Sequence, residues 1–70
     1  MKKDFKTRLK ELRIAKGFTR KEMAKAIGIE VTTYANYEGG FRMPKWDKIL
    51  KLAKCLDVST DYLLGASSTR

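Results

Sequence analysis

Histidine is absent from the sequence, and cysteine occurs once, at position 55. A lone cysteine excludes an intrachain disulfide, and without histidine there is no ligand set for zinc. The carboxylates are scattered, mostly beside cations, and no glycine-rich phosphate loop is present. We therefore expect no enzyme, with neither catalytic residues nor a cofactor or metal site, and we interpret Cys55 as a small apolar helix residue.

Long apolar runs are also missing, since the longest ones are two or three residues. No apolar segment follows the lysines of the N-terminal MKKDFKTRLK. The sequence thus predicts neither a signal peptide nor a membrane span, and we expect a cytoplasmic protein.

Acidic residues are scarce, with 8 Asp and Glu against 16 Lys and Arg and a net charge of +8. This excess indicates a polyanionic partner: nucleic acid first, an anionic membrane surface second. Charge alone does not choose between them. The 70 residues are enough for one small domain, 1–70, in which we expect a compact core within 5–65.

Two helices are predicted in the first part of the chain. The first is an amphipathic helix ending at Gly17, whose apolar residues recur at steps of four and three: Phe5, Leu9, Leu12 and Ala15. Thr19 and Glu22 have the spacing of a capping box, so a second helix begins near Arg20 and ends at Gly28. Its predicted buried residues are Met23, Ala24 and Ile27.

A third helix is predicted to begin after Ile29. At about 100° per residue, Tyr34 and Tyr37 lie on one side of it and Glu38 lies near them. The other side carries small residues: Thr32, Thr33, Ala35 and Asn36. Gly39 and Gly40 are expected to stop this helix in the left-handed conformation.

Two more helices complete the prediction. Pro44 suits the entry to the fourth, which has an apolar stripe at Ile49, Leu52, Ala53 and Leu56 and solvated lysines at 48, 51 and 54. Ser59 caps a short last helix, TDYLLG, and the final SSTR forms a tail. The spacing of Tyr34, Tyr37, Tyr62 and Trp46 favours the core over base stacking. The sequence predicts an all-α protein with five helices and no strand.

The order of these elements resembles the helix-turn-helix domain of the phage repressor and Cro type, the Xre family of bacterial and phage transcriptional regulators. Three motifs in order carry the resemblance: LKELRIAKGFTRKEMAKAIGI, YANYEGGFRMP and ILKLAKCLDVSTDYLLG. It implies a helix-turn-helix at residues 20–38 and a recognition helix from about Val31 to Tyr37. It also implies a partly buried ion pair between Arg13 and Glu38.

The resemblance further implies which residues contact DNA. The base-reading positions would be Val31, Thr32, Thr33 and Asn36. The phosphate-binding positions would be Arg20, Arg42 and Lys45, with Lys21 and Lys25 as weaker alternatives. Asparagine bonds adenine, and valine and threonine methyls pack on thymine, so an A/T-leaning half-site is expected.

The sequence departs from the family pattern at several of these positions. Glu30 stands where Ser or Thr usually caps the recognition helix, where it would repel a phosphate or accept from cytosine N4. Tyr34 replaces an aliphatic residue, which predicts a shifted angle of the recognition helix. Gly39 replaces an asparagine, and Lys45 replaces a Ser or Asp cap.

The function implied is sequence-specific binding of double-stranded DNA by a transcriptional regulator, more often a repressor than an activator. A homodimer on a palindromic operator is expected, because one recognition helix reads only a few base pairs. We expect the loop after the third helix and the last helix to form the dimer interface. Alternatives are an antitoxin, a restriction–modification controller, or a protein-interaction module such as an anti-repressor or adaptor.

Overall fold

The computed structural model describes residues 4–65, and in that range it contains five helices and no strand. The helices are α1 Phe5–Lys16, α2 Arg20–Ile27, α3 Val31–Gly39, α4 Trp46–Leu56 and α5 Thr60–Leu63. The all-α, five-helix prediction is confirmed. The expected SSTR tail and the other ends of domain 1–70 lie outside the described residues. None of the five helices is long and apolar enough to cross a bilayer.

Local signals set the predicted start and end of α2. The Thr19 hydroxyl accepts a hydrogen bond from the Glu22 amide at 3.0 Å, and the Thr19 amide donates to Glu22 Oε1 at 2.8 Å. Both halves of the capping box are therefore formed. Gly28 ends the helix in the left-handed conformation with φ of 74°. A similar side-chain cap at Asp4, which accepts from the Thr7 amide, begins α1 and was not predicted.

One apolar core joins all five helices. Helix α1 packs on α3, α4 and α5, while α2 packs on α3 and α4. The core residues are Phe5, Leu9, Leu12, Met23, Ala24, Ile27, Tyr34, Tyr37, Ile49, Leu52, Ala53, Leu56 and Leu63. The rings of Tyr34 and Tyr37 meet edge to face, with centroids 6.4 Å apart. The buried face of α3 is thus anchored by two aromatic rings, and its opposite face is left outside.

Three of the predicted placements are wrong. Ala15 is exposed, because it lies about 80° from Phe5 around the α1 axis and so leaves the core-facing stripe. Trp46 is 57% exposed, since it stands at the first position of α4, one turn before Ile49, the first residue of that helix to enter the core. Gly39 is the last residue of α3, and Gly40 alone takes the left-handed conformation there, with φ of 79°.

A buried arginine connects the two ends of the described chain. Arg8 lies on the core side of α1, and its Nη1 donates to the Tyr62 carbonyl at 2.8 Å. Its guanidinium carbon lies 4.0 Å from the centre of the Tyr62 ring, a cation–π geometry. Arg8 therefore holds α5 against α1, and Tyr62 is half-buried rather than part of the sealed core.

Candidate nucleic-acid interface

The turn between α2 and α3 is short and closed by hydrogen bonds. The Ile29 amide donates to the Ala24 carbonyl at 2.9 Å, and Gly28 supplies the positive φ that this closure requires. Ala24 is buried, as expected for a small residue between closely packed helices. Glu30 then precedes α3, and its side chain makes no capping hydrogen bond. Together α2 and α3 form a helix-turn-helix.

Helix α3 presents a stripe of exposed residues on the side opposite its tyrosines. Thr32, Asn36 and Gly39 are all exposed and are separated by four and three positions, so they lie in one row. Val31 is also exposed, at the first turn. We call Thr32, Asn36 and Gly39 the outward stripe. Three of the four predicted base-reading residues, Val31, Thr32 and Asn36, therefore have side chains that reach the surface.

Thr33, the fourth of them, lies apart from the outward stripe. It is half-buried and lines a cleft of about 760 Å³ between α3, the following loop and the start of α4. Arg42, Lys45 and Lys48 line the same cleft. The structure thus brings Thr33 together with two predicted phosphate-binding residues at the side of α3.

A buried ion-pair network fixes α3 to the helices before it. Arg13 Nε lies 2.6 Å from Glu38 Oε2, and Arg13 Nη2 donates to Glu38 Oε1 at 3.2 Å. Arg13 Nη1 donates to the Phe18 carbonyl at 2.9 Å. Arg20 adds a third contact, from its Nε to Glu38 Oε1 at 3.3 Å. One carboxylate at the end of α3 therefore binds α1 and the first residue of α2.

The charges of this network are stabilised by one another. Hydrogen bonding to Glu38 raises the pKa of Arg13. Burial opposes ionisation of Glu38, but hydrogen bonds, with Arg13 the foremost donor, outweigh it and hold its pKa below the ordinary value. Burial, and then the nearby Glu38 carboxylate, raises the pKa of Tyr34. Within the described residues the Tyr34 hydroxyl has no hydrogen-bond partner.

The three predicted phosphate-binding residues differ in how firmly they are held. Arg20 has half of its side chain exposed while its Nε bonds Glu38. The Arg42 side chain is exposed, and its amide donates to the Asn36 carbonyl at 3.3 Å. Lys45 is exposed directly before α4 and makes no capping hydrogen bond. Arg20, the first residue of α2, thus lies on the Glu38 side of α3, and Arg42 and Lys45 lie on the side of the cleft.

Sequence reasoning missed two features of this surface. Lys48 was expected on a solvated face, yet it is half-buried and donates to the Ile27 carbonyl at 3.4 Å. A lysine one turn from a helix end gives no local sign of such a contact. Phe41, which follows α3, is 86% exposed. This exposure was missed because a large apolar side chain is more often buried.

Comparisons with known proteins agree with this geometry. Residues 9–63 match the helix-turn-helix family. The HTH-type transcriptional regulator ImmR of Bacillus subtilis is 48% identical over 58 residues, which cover 83% of this chain and 46% of that protein. The cryptic phage CTXphi transcriptional repressor RstR of Vibrio cholerae is 39% identical over 64 residues, covering 91% and 57%. The chain spans about half the length of these curated relatives.

Solved structures show the same arrangement of helices. The restriction–modification controller protein C.AhdI of Aeromonas hydrophila is 37% identical, with a TM-score of 0.79 over 84% of this chain and 89% of that one. The P22 c2 repressor in complex with a synthetic operator has a TM-score of 0.87 over 93% and 98%, and at 23% identity it shows the fold alone. By its sequence match and its fold, this chain belongs to the helix-turn-helix family, of the Xre and Cro type.

Proposed function

We propose that this chain binds double-stranded DNA sequence-specifically as a bacterial or phage transcriptional regulator, acting as a repressor, with α3 in the major groove. The observation that carries the proposal is the outward stripe of α3, in which Thr32 and Asn36 are exposed. Arg20 is held by Glu38 on one side of α3, and Arg42 and Lys45 line the cleft on the other side. Major-groove recognition by a helix-turn-helix needs such a helix face, with phosphate ligands around it.

The exposed side chains have the chemistry to read base edges. The Asn36 amide forms two hydrogen bonds to adenine N6 and N7, and the methyl groups of Thr32 and Val31 pack on the thymine C5-methyl. Thr33 reaches the groove from the side of the cleft, where its hydroxyl bonds a base edge or the flanking phosphate. An operator half-site rich in A/T pairs fits this set.

Phosphate binding falls to Arg20, Arg42 and Lys45. Arg20 Nε donates to Glu38, and half of the Arg20 side chain is exposed. The terminal nitrogens of Arg20 are therefore assigned to a phosphate. Arg42 and Lys45 bind the strand that passes the cleft beside Thr33. Such contacts set register and affinity and carry no sequence information.

The relatives support regulation of transcription. ImmR is a transcriptional regulator and RstR is a phage repressor by their names, and both match most of this chain. A second candidate function is control of a restriction–modification system. It is favoured by the likeness to C.AhdI, because the match covers 89% of the C.AhdI chain. Both functions require the same contact with operator DNA.

We also infer a homodimer on a palindromic operator, and a location on the nucleoid. The sequence predicted two dimer surfaces, the loop after α3 and the last helix. The last helix offers little exposed apolar area, since Leu63 is buried and Tyr62 and Leu64 are half-buried. Trp46 and Leu50 are exposed one helical turn apart on α4, which gives an apolar pair for a second copy.

Selection of bound fragments from random-sequence DNA tests the proposal. The expected result is one enriched motif with two inverted half-sites, bound with an affinity that falls steeply as salt rises. Recovery of no motif, together with salt-insensitive binding of a protein partner, would instead support the protein-interaction alternative. An antitoxin would need a toxin partner in addition to the operator.

A further inference from the structure

Phe41 is the most exposed of the large apolar side chains in residues 4–65, at 86%, yet hydrogen bonds hold its backbone. The Phe41 amide donates to the Asn36 carbonyl at 3.0 Å, and the next amide, of Arg42, donates to the same oxygen at 3.3 Å. The chain after α3 therefore folds back over the last turn of that helix, beside the residue proposed to read adenine.

The absence of a side chain at Gly39 leaves room for the Phe41 ring beside the last turn of α3. A Cβ placed on Gly39 would stand 2.8 Å and 2.9 Å from Cδ2 and Cε2 of that ring, closer than real Cβ contacts. Gly39 is helical and has no positive φ, so its backbone does not require glycine. What glycine provides is room for the ring, which occupies the third position of the outward stripe after Thr32 and Asn36.

We propose that Phe41 extends the DNA-contacting surface by packing its ring on the deoxyribose groups of the backbone at the end of the recognition helix. The inference rests on the proposed function. In a helix-turn-helix the N-terminal residues of the recognition helix approach the bases. The C-terminal end of the stripe accordingly lies where the helix leaves the groove, next to the sugar–phosphate chain, whose sugars present C–H surface to an aromatic ring.

The charges around Phe41 favour DNA over a second copy of the chain. Arg42 follows it directly, and the Lys6 side chain lies across Gly40, where a Cβ would stand 2.7 Å from Lys6 Cδ and 3.3 Å from its Nζ. Lys6 Nζ lies 3.9 Å from Asp4 Oδ2 in an exposed pair that offsets part of its charge, so Arg42 is the main cation that two copies meeting here would bring together. A polyanion is attracted by the same cations.

The test compares Phe41→Ala and Gly39→Ala with wild type on a duplex that carries one half-site from the selected fragments and binds one copy. Phe41→Ala should weaken binding about fivefold, since part of an aromatic ring is no longer buried. The salt dependence should stay unchanged because no charge is lost. Gly39→Ala should weaken binding similarly by displacing the ring, and the double variant should be no weaker than Phe41→Ala.

Circular dichroism is the folding control, and both variants should keep wild-type helicity because the ring is exposed. If Phe41→Ala bound the half-site as tightly as wild type does, the inference would be overturned. The proposed function would still stand, because wild type would still bind its selected site. So would a loss seen only on the two-site operator together with weaker self-association, which would assign the ring to a second copy. A loss that disappears when thymine is replaced by uracil would overturn the assignment to the sugar.

Discussion

Arg13 on α1 and Glu38 at the end of α3 form a nearly sealed ion pair, with Nε and Oε2 at 2.6 Å and side-chain exposures of 12% and 1%. The two residues are 25 positions apart in sequence. Because the pair joins α1 to the last turn of α3, it fixes the direction in which the outward stripe points. Two nitrogens of one guanidinium meet both carboxylate oxygens, the geometry that arginine favours.

Breaking this pair from either side should destabilise the protein strongly. Arg13→Ala leaves the Glu38 charge buried with only Arg20 beside it, and Glu38→Ala strands Arg13. Each single change should lower the free energy of unfolding by about 3 kcal/mol, and the double variant by much less than the sum. Urea unfolding followed by circular dichroism measures all four proteins. Small, additive losses would show that the pair contributes nothing.

Acid should remove the contribution of Glu38. Its pKa is lowered in the folded protein from an ordinary value of 4.5, so its stabilisation is complete above that value. The stabilisation is lost as the pH falls through the lower pKa of the folded state. As the pH falls from 6, wild type should therefore lose more unfolding free energy than Glu38→Gln. The difference is on the order of 1 kcal/mol for each pH unit between the ordinary pKa of Glu38 and its lower pKa in the folded protein. The lowered pKa values of Asp4 and Glu22 act equally in both proteins and cancel. Parallel pH profiles for the two proteins would contradict the assignment.

The turn before α3 depends on the backbone of Gly28. Nothing lies within 4 Å of a Cβ placed there, so a side chain would meet no neighbour. Because φ is 74°, the only free-energy cost of a side chain is that of the left-handed conformation. Gly28→Ala should cost about 1 kcal/mol of unfolding free energy, and Gly28→Asn less, because asparagine tolerates that region better. Thermal unfolding of the three proteins checks the order. Equal stability of the alanine and asparagine variants would place the cost elsewhere.

How far the sequence predicts this structure depends on the range of the signal. The bounds of α2 follow from Thr19, Glu22 and Gly28, because capping and glycine turns act within a few residues. Arg8 and Lys48 could not be placed, since their partners, Tyr62 and Ile27, lie on other helices.

At the site, the same limit applies. The exposure of Thr32 and Asn36 follows from the helical period, whereas the half-burial of Thr33 depends on the loop that packs beside it. The bond from Arg20 to Glu38 needs the α2–α3 packing itself. The room above Gly39 for the Phe41 ring becomes visible only in three dimensions.

Assembly on the operator gives a geometric prediction. Two copies related by a two-fold axis should protect half-sites about 34–36 Å apart, one turn of DNA. Trp46→Ala and Leu50→Ala should weaken cooperative filling of the two half-sites while leaving binding to one half-site unchanged. Footprinting and sedimentation measure the two properties. If one copy protected a single, asymmetric site on the full-length selected operator, with no second half-site filled, the dimer would be contradicted.

The central claim, that α3 reads bases while the surrounding cations hold phosphates, is tested by one titration series over salt with matched and scrambled duplexes. Asn36→Ala should weaken the matched duplex by about 1–3 kcal/mol and flatten discrimination at one base position, with the salt slope intact. Arg42→Ala should weaken both duplexes alike and reduce the slope by about one unit. Lys51→Ala, an equal loss of charge on the exposed side of α4, is the matched control and should change neither. Unaltered site preference and affinity in Asn36→Ala would contradict the account, because the outward stripe would then be a solvated surface.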